Sequence, residues 1–288
     1  MPETSQTLSI ILPAKNEAAA LPDLLTRLRN LYPQAELLVV DDGSTDDTAG
    51  VAHAHDATVI RHPYSMGNGA AIKSGARNAT GKWLIFMDAD GQHDPNDIQP
   101  LLEKLQSGYD MAVGARTRGS QASLGRGVAN GIYNLLASWM VAHRIPDLTS
   151  GFRAARADRF REFIHLLPNT FSYPTTSTMA FFRAGYGVAY VPIVALKRIG
   201  KSHIRPLRDG VRFLLIIFKV ATLYSPLKIF LPISVIFFTL GLAWYIYTYT
   251  TTHHFTVMSA LLFITAVIVF LIGLVSEQIT SLTYRHQD

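Results

Sequence analysis

The 288 residues suffice for one large core or two modest ones, but at 49% hydrophobic and 16% charged the chain is too apolar for an ordinary soluble domain. A net charge of +5, without the interleaved basic and aromatic residues that grip single strands, argues against nucleic acid and for anionic headgroups or phosphates. Cysteine is absent, which excludes disulfides and thiolate metal sites and agrees with a reducing compartment.

Strand-like and helix-like segments alternate from the start. Strands are expected at Leu8–Leu12, Glu36–Val40, Thr58–Arg61, Lys82–Met87 and Asp110–Gly114, with helices between them at about Ala18–Leu31, Asp46–His55, Gly69–Ala79 and Asn96–Gln106. That order predicts an α/β domain with a mostly parallel sheet and helices on both faces. Asp46 and Asn96 are expected N-caps, and Gly81 and Gly108 stand where C-terminal glycines belong. After Gly114 the chain turns basic and glycine-rich, and an apolar helix is expected over about Val128–His143. A mixed region follows to Pro192. Pro206–Tyr224 reads as an amphipathic or nearly all-apolar helix that could lie at a membrane surface.

From Ile229 to Ser276 there is no Lys, Arg, Asp or Glu. Two apolar stretches, Ile229–Thr250 and Phe255–Ser276, flank His253 and His254, and each reaches the roughly 20 residues that span a bilayer. Trp244, Tyr245, Tyr247 and Tyr249 sit where an interfacial aromatic belt would. Arg208, Arg212, Lys219 and Lys228 precede the first stretch, Arg285 follows the second, and the loop between them has no basic residue. The positive-inside rule then places both ends in the cytoplasm, in a multi-pass protein of the inner, plasma or ER membrane. Met1–Gln6 is polar, so no signal peptide is expected. The expected division is a cytoplasmic catalytic domain over 1–205, an interfacial helix over 206–228, a two-helix hairpin over 229–276 and a cytoplasmic tail over 277–288.

The densest chemistry lies in Phe86-Met87-Asp88-Ala89-Asp90-Gly91-Gln92-His93-Asp94-Pro95. Asp88 and Asp90 follow an apolar run that reads as a buried parallel strand, and ligands of open α/β sheets sit beyond the carboxyl ends of such strands. Two acids so close repel each other unless a cation joins them. A hard divalent ion with oxygen ligands would do so and would also hold a diphosphate. Pro13-Ala14-Lys15-Asn16-Glu17 and Asp41-Asp42-Gly43-Ser44-Thr45-Asp46 end the first two strands and face the same crevice. Alone, the second would be a turn and a helix cap.

These segments, with Gly67-Asn68-Gly69-Ala70-Ala71, resemble the motifs of family-2 inverting glycosyltransferases, which have the Rossmann-like GT-A fold. Asp147-Leu148-Thr149-Ser150-Gly151-Phe152-Arg153 and Arg198-Ile199-Gly200-Lys201-Ser202 are similar to later motifs of its polyprenyl-phosphate sugar synthases, the dolichyl-phosphate mannose synthase type. The resemblance covers roughly Leu8–Ser202. It implies that Pro13, Asn16 and Glu17 line the nucleotide pocket, that Asp41 or Asp42 holds the base, and that Asp88, Ala89 and Asp90 lie along the donor. It implies Mg²⁺ or Mn²⁺ on Asp88, Asp90 and Gln92. His93 and Asp94 could support those ligands from behind. Lys73 could reach the donor, though a solvated helix lysine is the simpler reading.

The acceptor side rests on Arg116, Arg118 and Arg126, in the glycine-rich stretch after the fifth strand near the same crevice edge, since an arginine fork matches a phosphate monoester. A basic loop facing lipid headgroups explains them equally well. Arg198, Lys201 and Arg205 could clamp phosphate or anchor the chain beside the membrane. Asp88, Asp90, Arg116 and Arg126 are the residues expected to carry catalysis. The partners implied are a nucleotide sugar, a polyprenyl phosphate and a membrane; a homo-oligomer is compatible with all of this. A phosphate acceptor is already ionised near neutral pH and needs positioning rather than a base. A lipid hydroxyl acceptor would need one, with Asp147 as the candidate, although a structural role for Asp147 is favoured. No Arg-Trp pair is present, which argues against a processive polysaccharide synthase. Pro13–Glu17 is not the glycine-rich loop of a nucleotidyltransferase. A catalytically silent scaffold would have lost Asp88, Asp90 or Gln92, and all three are present.

Overall fold

The computed structural model describes residues 8–117, 124–169, 172–194 and 224–284, with 218 and 222 as isolated positions. The chain divides into two compact units, 1–205 and 206–288.

The first unit is built on a sheet of strands β1 (Leu8–Ala14), β2 (Glu36–Asp41), β3 (Thr58–Arg61), β4 (Trp83–Phe86), β5 (Met111–Arg116), β6 (Arg153–Arg156) and β7 (Val188–Ile193), in the order β3-β2-β1-β4-β6-β5-β7. All pairings are parallel except those of β6, which runs antiparallel to both neighbours. Helices α1 (Leu21–Leu31), α2 (Thr48–Ala54), α3 (Asn68–Asn78), α4 (Ile98–Gln106), α5 (Leu124–Val141), α6 (Ala157–Glu162) and α7 (Tyr173–Arg183) complete the unit. Every residue of β1 is buried, as a central parallel strand should be, and its one polar side chain, Ser9, accepts the Gly81 N–H at 2.8 Å. Helix α1 starts later than its pattern suggests, with Pro22 in its first turn, and buries Leu21, Leu24, Leu25 and Leu28 along one face.

The chain leaves β1 for β2 and β3, then returns to β4 on the other side of β1. That reversal opens a crevice at the carboxyl edge of the sheet. Register fixes what meets there: Ala14 lies beside Asp41, and Ile11 beside Phe86, so the segments after β1, β2 and β4 emerge together.

Two strands depart from the expected pattern. β6, Arg-Ala-Ala-Arg, lies in the mixed region and has no β-branched residue to mark it as a strand, yet it is clamped between β4 and β5. β7 contains Pro192, which an inner strand would not tolerate; β7 is an edge strand, and Pro192 is exposed. The capping expectations are also revised. Asn96 is not a cap: Asp94 accepts its N–H at 3.0 Å and starts the short turn Pro95–Asp97. Asp46 does accept the Thr48 N–H at 3.1 Å, but Asp47 holds the cap position of α2.

In the second unit, Pro226–Thr252 and Val257–Tyr284 form two antiparallel helices. Their apolar windows have mean hydropathies of 2.1 and 2.8, and both helices are long and apolar enough to cross a membrane. Ser234 Oγ donates to the Ala266 carbonyl at 2.8 Å, a polar tie between otherwise apolar helices. The second helix runs past the expected end at Ser276, and Glu277 accepts the Leu227 N–H at 3.2 Å, covering an otherwise unpaired donor in the first turn of its neighbour. The expected interfacial helix at Pro206–Tyr224 falls almost wholly outside the described residues.

Candidate active site

The carboxyl edge of β1, β2 and β4 holds a cleft of about 430 Å³. Of the residues expected on the donor side, Pro13, Glu17, Asp42, Asp88, Ala89, Asp90 and Gln92 line it. Asn16 and Asp41 are not among its lining residues, and both hold the walls in place. Asn16 takes a left-handed conformation at φ 57°, its N–H donates to Ser44 Oγ at 3.0 Å, and its Oδ1 accepts the Thr45 N–H at 2.8 Å. The N–H groups of Glu17 and Ala18 reach Thr48 Oγ1 and Asp46 Oδ2. The loops after β1 and β2 are thereby laced into one wall. Asp41 is fully buried, accepts the Ser44 N–H at 2.8 Å and faces Arg61 at 3.3 Å.

Asp42, the first residue after β2, is the hub that gathers the loop leaving β3. Its carboxylate accepts from His62 Nδ1 at 2.8 Å, Ser65 Oγ at 2.7 Å, and the Met66 and Gly67 N–H groups at 2.7 and 2.9 Å. Burial works to raise its pKa, and these donors overcome it, leaving the carboxyl below the usual range. Gly43 makes the approach possible: it sits at φ 67°, and a Cβ there would lie 2.7 Å from the Tyr64 carbonyl carbon. The loop so gathered delivers Gly67 and Asn68, at the start of α3, into the cleft. Asn68 Nδ2 lies 3.4 Å from Asp88 Oδ1, and its buried Oδ1 has no partner among the described residues. Gly67 and Asn68 stand in a recognised motif, yet sequence reasoning assigned them no role; the polar asparagine at a glycine-flanked helix start was the available signal. Lys73 does not face the donor side: its Nζ donates to the Leu167 carbonyl at 3.1 Å and to Asn169.

Asp88 and Asp90 follow β4, and Gln92 N–H turns back to Asp90 Oδ1 at 3.2 Å. Asp90 is only 8% exposed. Among the described residues no further His, Cys, Asp or Glu completes a three-residue metal cluster. The donor set is two carboxylates and a carboxamide, all hard oxygens among the residues lining the cleft, and it fits a small divalent cation that takes its remaining ligands from phosphate and water.

Beside the acids lies a second polar group. Arg116, at the end of β5, grips Asp147 through Nε at 2.7 Å and Nη2 at 3.0 Å, and Thr149 Oγ1 through Nη2 at 2.7 Å. Burial opposes ionisation of Asp147, but this fork and the Arg116 and Thr149 N–H groups hold its carboxyl below the usual range. The bond to Asp147 holds the Arg116 proton in turn, with Asp88 adding to the pull. Asp147 therefore orients Arg116 and the Thr149 turn; Arg153 goes elsewhere. Fully buried, it donates to the Pro174 carbonyl at 2.9 Å and Ser177 Oγ at 2.7 Å, tying β6 to α7. His93 stacks on Phe152 with ring centres 4.9 Å apart, and burial pushes its imidazole down to about 4, so it is neutral at physiological pH. Of the other expected acceptor residues, Arg126 falls in α5, where only the backbone is described, and Arg118, Arg198, Lys201 and Arg205 lie outside the described residues.

The fold and the acid-lined cleft define a GT-A glycosyltransferase. A search of solved structures finds the same fold in glucosyl-3-phosphoglycerate synthase from Mycobacterium tuberculosis bound to Mn²⁺, UDP and glucosyl-3-phosphoglycerate, with a TM-score of 0.60 and 24% identity over 75% of this chain and 79% of that one. The profile of glycosyl transferase family 2 matches residues 9–164, and that of the GtrB C-terminal hairpin matches 225–282. The chain is similar to undecaprenyl-phosphate mannosyltransferase of Micrococcus luteus, 30% identical over 67% of this chain and 85% of that protein. Polyprenol monophosphomannose synthase of Mycolicibacterium smegmatis is 30% identical over 68% of this chain and 79% of its own length. The chain belongs to glycosyl transferase family 2.

One consequence concerns Gly151. A Cβ there would stand 3.1 Å from Asp88 Oδ2 and 3.3 Å from the Tyr173 hydroxyl, so Gly151→Ala must displace the Asp88 carboxylate. A misplacement of about 1 Å costs about 100-fold in rate, so a shift of a few tenths of an ångström should cost about 3-fold. Steady-state kinetics should show that fall in kcat while the melting temperature stays within a few degrees of wild type; unchanged kcat would mean that the position of Asp88 is immaterial.

Proposed function

We propose that this enzyme transfers a sugar from a GDP- or UDP-linked donor to a polyprenyl phosphate at the cytoplasmic face of a membrane, with inversion at the anomeric carbon. The observation that carries the reading is the pairing, in one chain, of an acid-lined cleft at the switch point of a GT-A sheet with two membrane-length helices. The names of the two relatives agree with it.

In this reading Asp42 shapes the end of the cleft that takes the nucleoside, through the loop it gathers. Pro13 and Glu17 form the facing wall. Asp88, Asp90 and Gln92 hold Mg²⁺ or Mn²⁺, which supplies charge neutralisation for the departing diphosphate. Asn68 holds Asp88 from the side and turns its Oδ1 toward the donor. Arg116, aligned by Asp147 and Thr149, uses Nε and Nη2 on those partners; Nη1 makes no hydrogen bond to the described residues and is the edge offered to an acceptor phosphate. Arg118, Arg126, Arg198 and Lys201 are proposed to add to that phosphate site.

A phosphate acceptor is favoured over a hydroxyl because a hydroxyl needs a base. Asp147 is committed to Arg116, and the His93 imidazole is too weakly basic. The test is a donor screen: purified protein, undecaprenyl or dolichyl phosphate, Mg²⁺ or Mn²⁺, and a panel of labelled nucleotide sugars. The expected product is a lipid-linked sugar labile to mild acid. An acid-stable glycolipid formed from a hydroxyl acceptor, with no phosphate-linked product, would overturn the assignment.

A further inference from the structure

Helix α5 (Leu124–Val141) has an inner face whose rotation is fixed by polar contacts. Tyr133, Ala137 and Met140 are buried, and the Tyr133 hydroxyl meets Thr175 Oγ1 at 3.1 Å. Asn134 Nδ2 donates to the Pro146 carbonyl at 2.7 Å, its Oδ1 accepts the Leu148 N–H at 3.0 Å, and Ser138 Oγ accepts the Ile145 N–H at 2.9 Å. The outer stripe is therefore set, and it carries Leu135 at 72% and Trp139 at 51% exposure, one helical turn apart. Arg144 follows the helix, exposed and in no ion pair among the described residues. From Gly114 to Pro146 the chain holds four arginines, Arg116, Arg118, Arg126 and Arg144, and no Asp or Glu.

Protruding leucine and tryptophan on a helix in a segment free of acidic residues, with Arg144 exposed at its end, match the interface of an anionic bilayer: the side chains enter the acyl boundary, and Arg144 meets headgroup phosphates. Tryptophan, with its apolar body and single N–H, favours that depth. We infer that the outer face of α5, through Leu135 and Trp139, is a membrane-docking surface of the catalytic unit, taking anionic lipid. The inference rests on the membrane reading of the C-terminal helices and not on the identity of the sugar or acceptor.

Because the chain has no cysteine, Leu135→Cys in the full-length protein carries a single nitroxide label. In vesicles of phosphatidylcholine and phosphatidylglycerol, the label should collide more with oxygen than with a water-soluble nickel chelate. The reverse should hold for Glu103→Cys on α4. As a second measurement, Trp139 left as the sole tryptophan by Trp83→Phe and Trp244→Phe should be quenched by lipids brominated near the top of the acyl chain. A label at position 135 open to nickel, with Trp139 unquenched, would overturn the inference while leaving sugar transfer untouched. Label–label contacts that vanish when protein is diluted into excess lipid would overturn it too, by assigning the stripe to a second copy of the chain.

Discussion

Asp90→Asn should lower kcat for sugar transfer by about 10³-fold, the scale seen when one preorganised electrostatic contact to a developing charge is removed. The substitution keeps the volume of the side chain and leaves an amide oxygen to accept the Gln92 N–H, so the loop geometry survives. What disappears is one of two acidic side chains, two positions apart in the chain, that line the cleft. Relief of their repulsion means that the melting temperature should hold steady or rise, the pattern of a site arranged for a cation at some expense to the empty fold. Partial rescue by raised Mn²⁺ would support the ligand role. Turnover near wild type in chelator-treated protein given fresh metal would remove Asp90 from it.

Asp42→Asn should do the opposite, destabilising the fold by about 3 kcal/mol and weakening donor binding with it. The carboxylate takes four donors, two of them backbone N–H groups at 2.7 and 2.9 Å, and each bond to a charged acceptor contributes about 1.5–3 kcal/mol. An amide cannot replace it, because its NH₂ would face donors. The pH dependence follows from the lowered pKa. A carboxyl held lower in the folded than in the unfolded chain stabilises above the unfolded value of about 3.9, and that contribution is lost as pH falls through the folded value. The stability gap between wild type and Asp42→Asn should thus be full at pH 7 and close in acid below about pH 4. Chemical denaturation at several pH values measures it; a gap that persists unchanged into acid would mean that the four donors do not act through the charge.

The two cases also show what the sequence makes legible. β2 and β4 are apolar runs that lead into Asp41-Asp42 and Asp88-Asp90, β1 leads into Lys15-Asn16-Glu17, and the parallel order alone brings those ends to one edge. Pro13, Glu17, Asp42, Asp88, Ala89, Asp90 and Gln92 accordingly meet along one cleft. The division of labour does not follow from that order: Asp41 and Asp42 look equivalent in a row, and only the positive φ of Gly43 and the return of residues 62–67 decide that Asp42 faces the cleft. Arg116 and Asp147 are 31 residues apart, and their fork depends on β6 lying antiparallel between β4 and β5, in a segment whose alanines and arginines carry no strand pattern. Arg153, six residues past Asp147 in the same motif, is fully buried and bonds to α7 instead. Long-range pairings of this kind leave no local periodicity to detect.

Isothermal calorimetry on chelator-stripped protein, titrated with UDP and with GDP in the presence and absence of Mn²⁺ or Mg²⁺, tests the acid-lined cleft most directly. One of the two nucleotides should bind measurably only when the cation is present, and Asp90→Asn should remove that dependence together with the binding. Nucleotide affinity equal with and without cation, or absent for both nucleotides under every condition, would contradict the account.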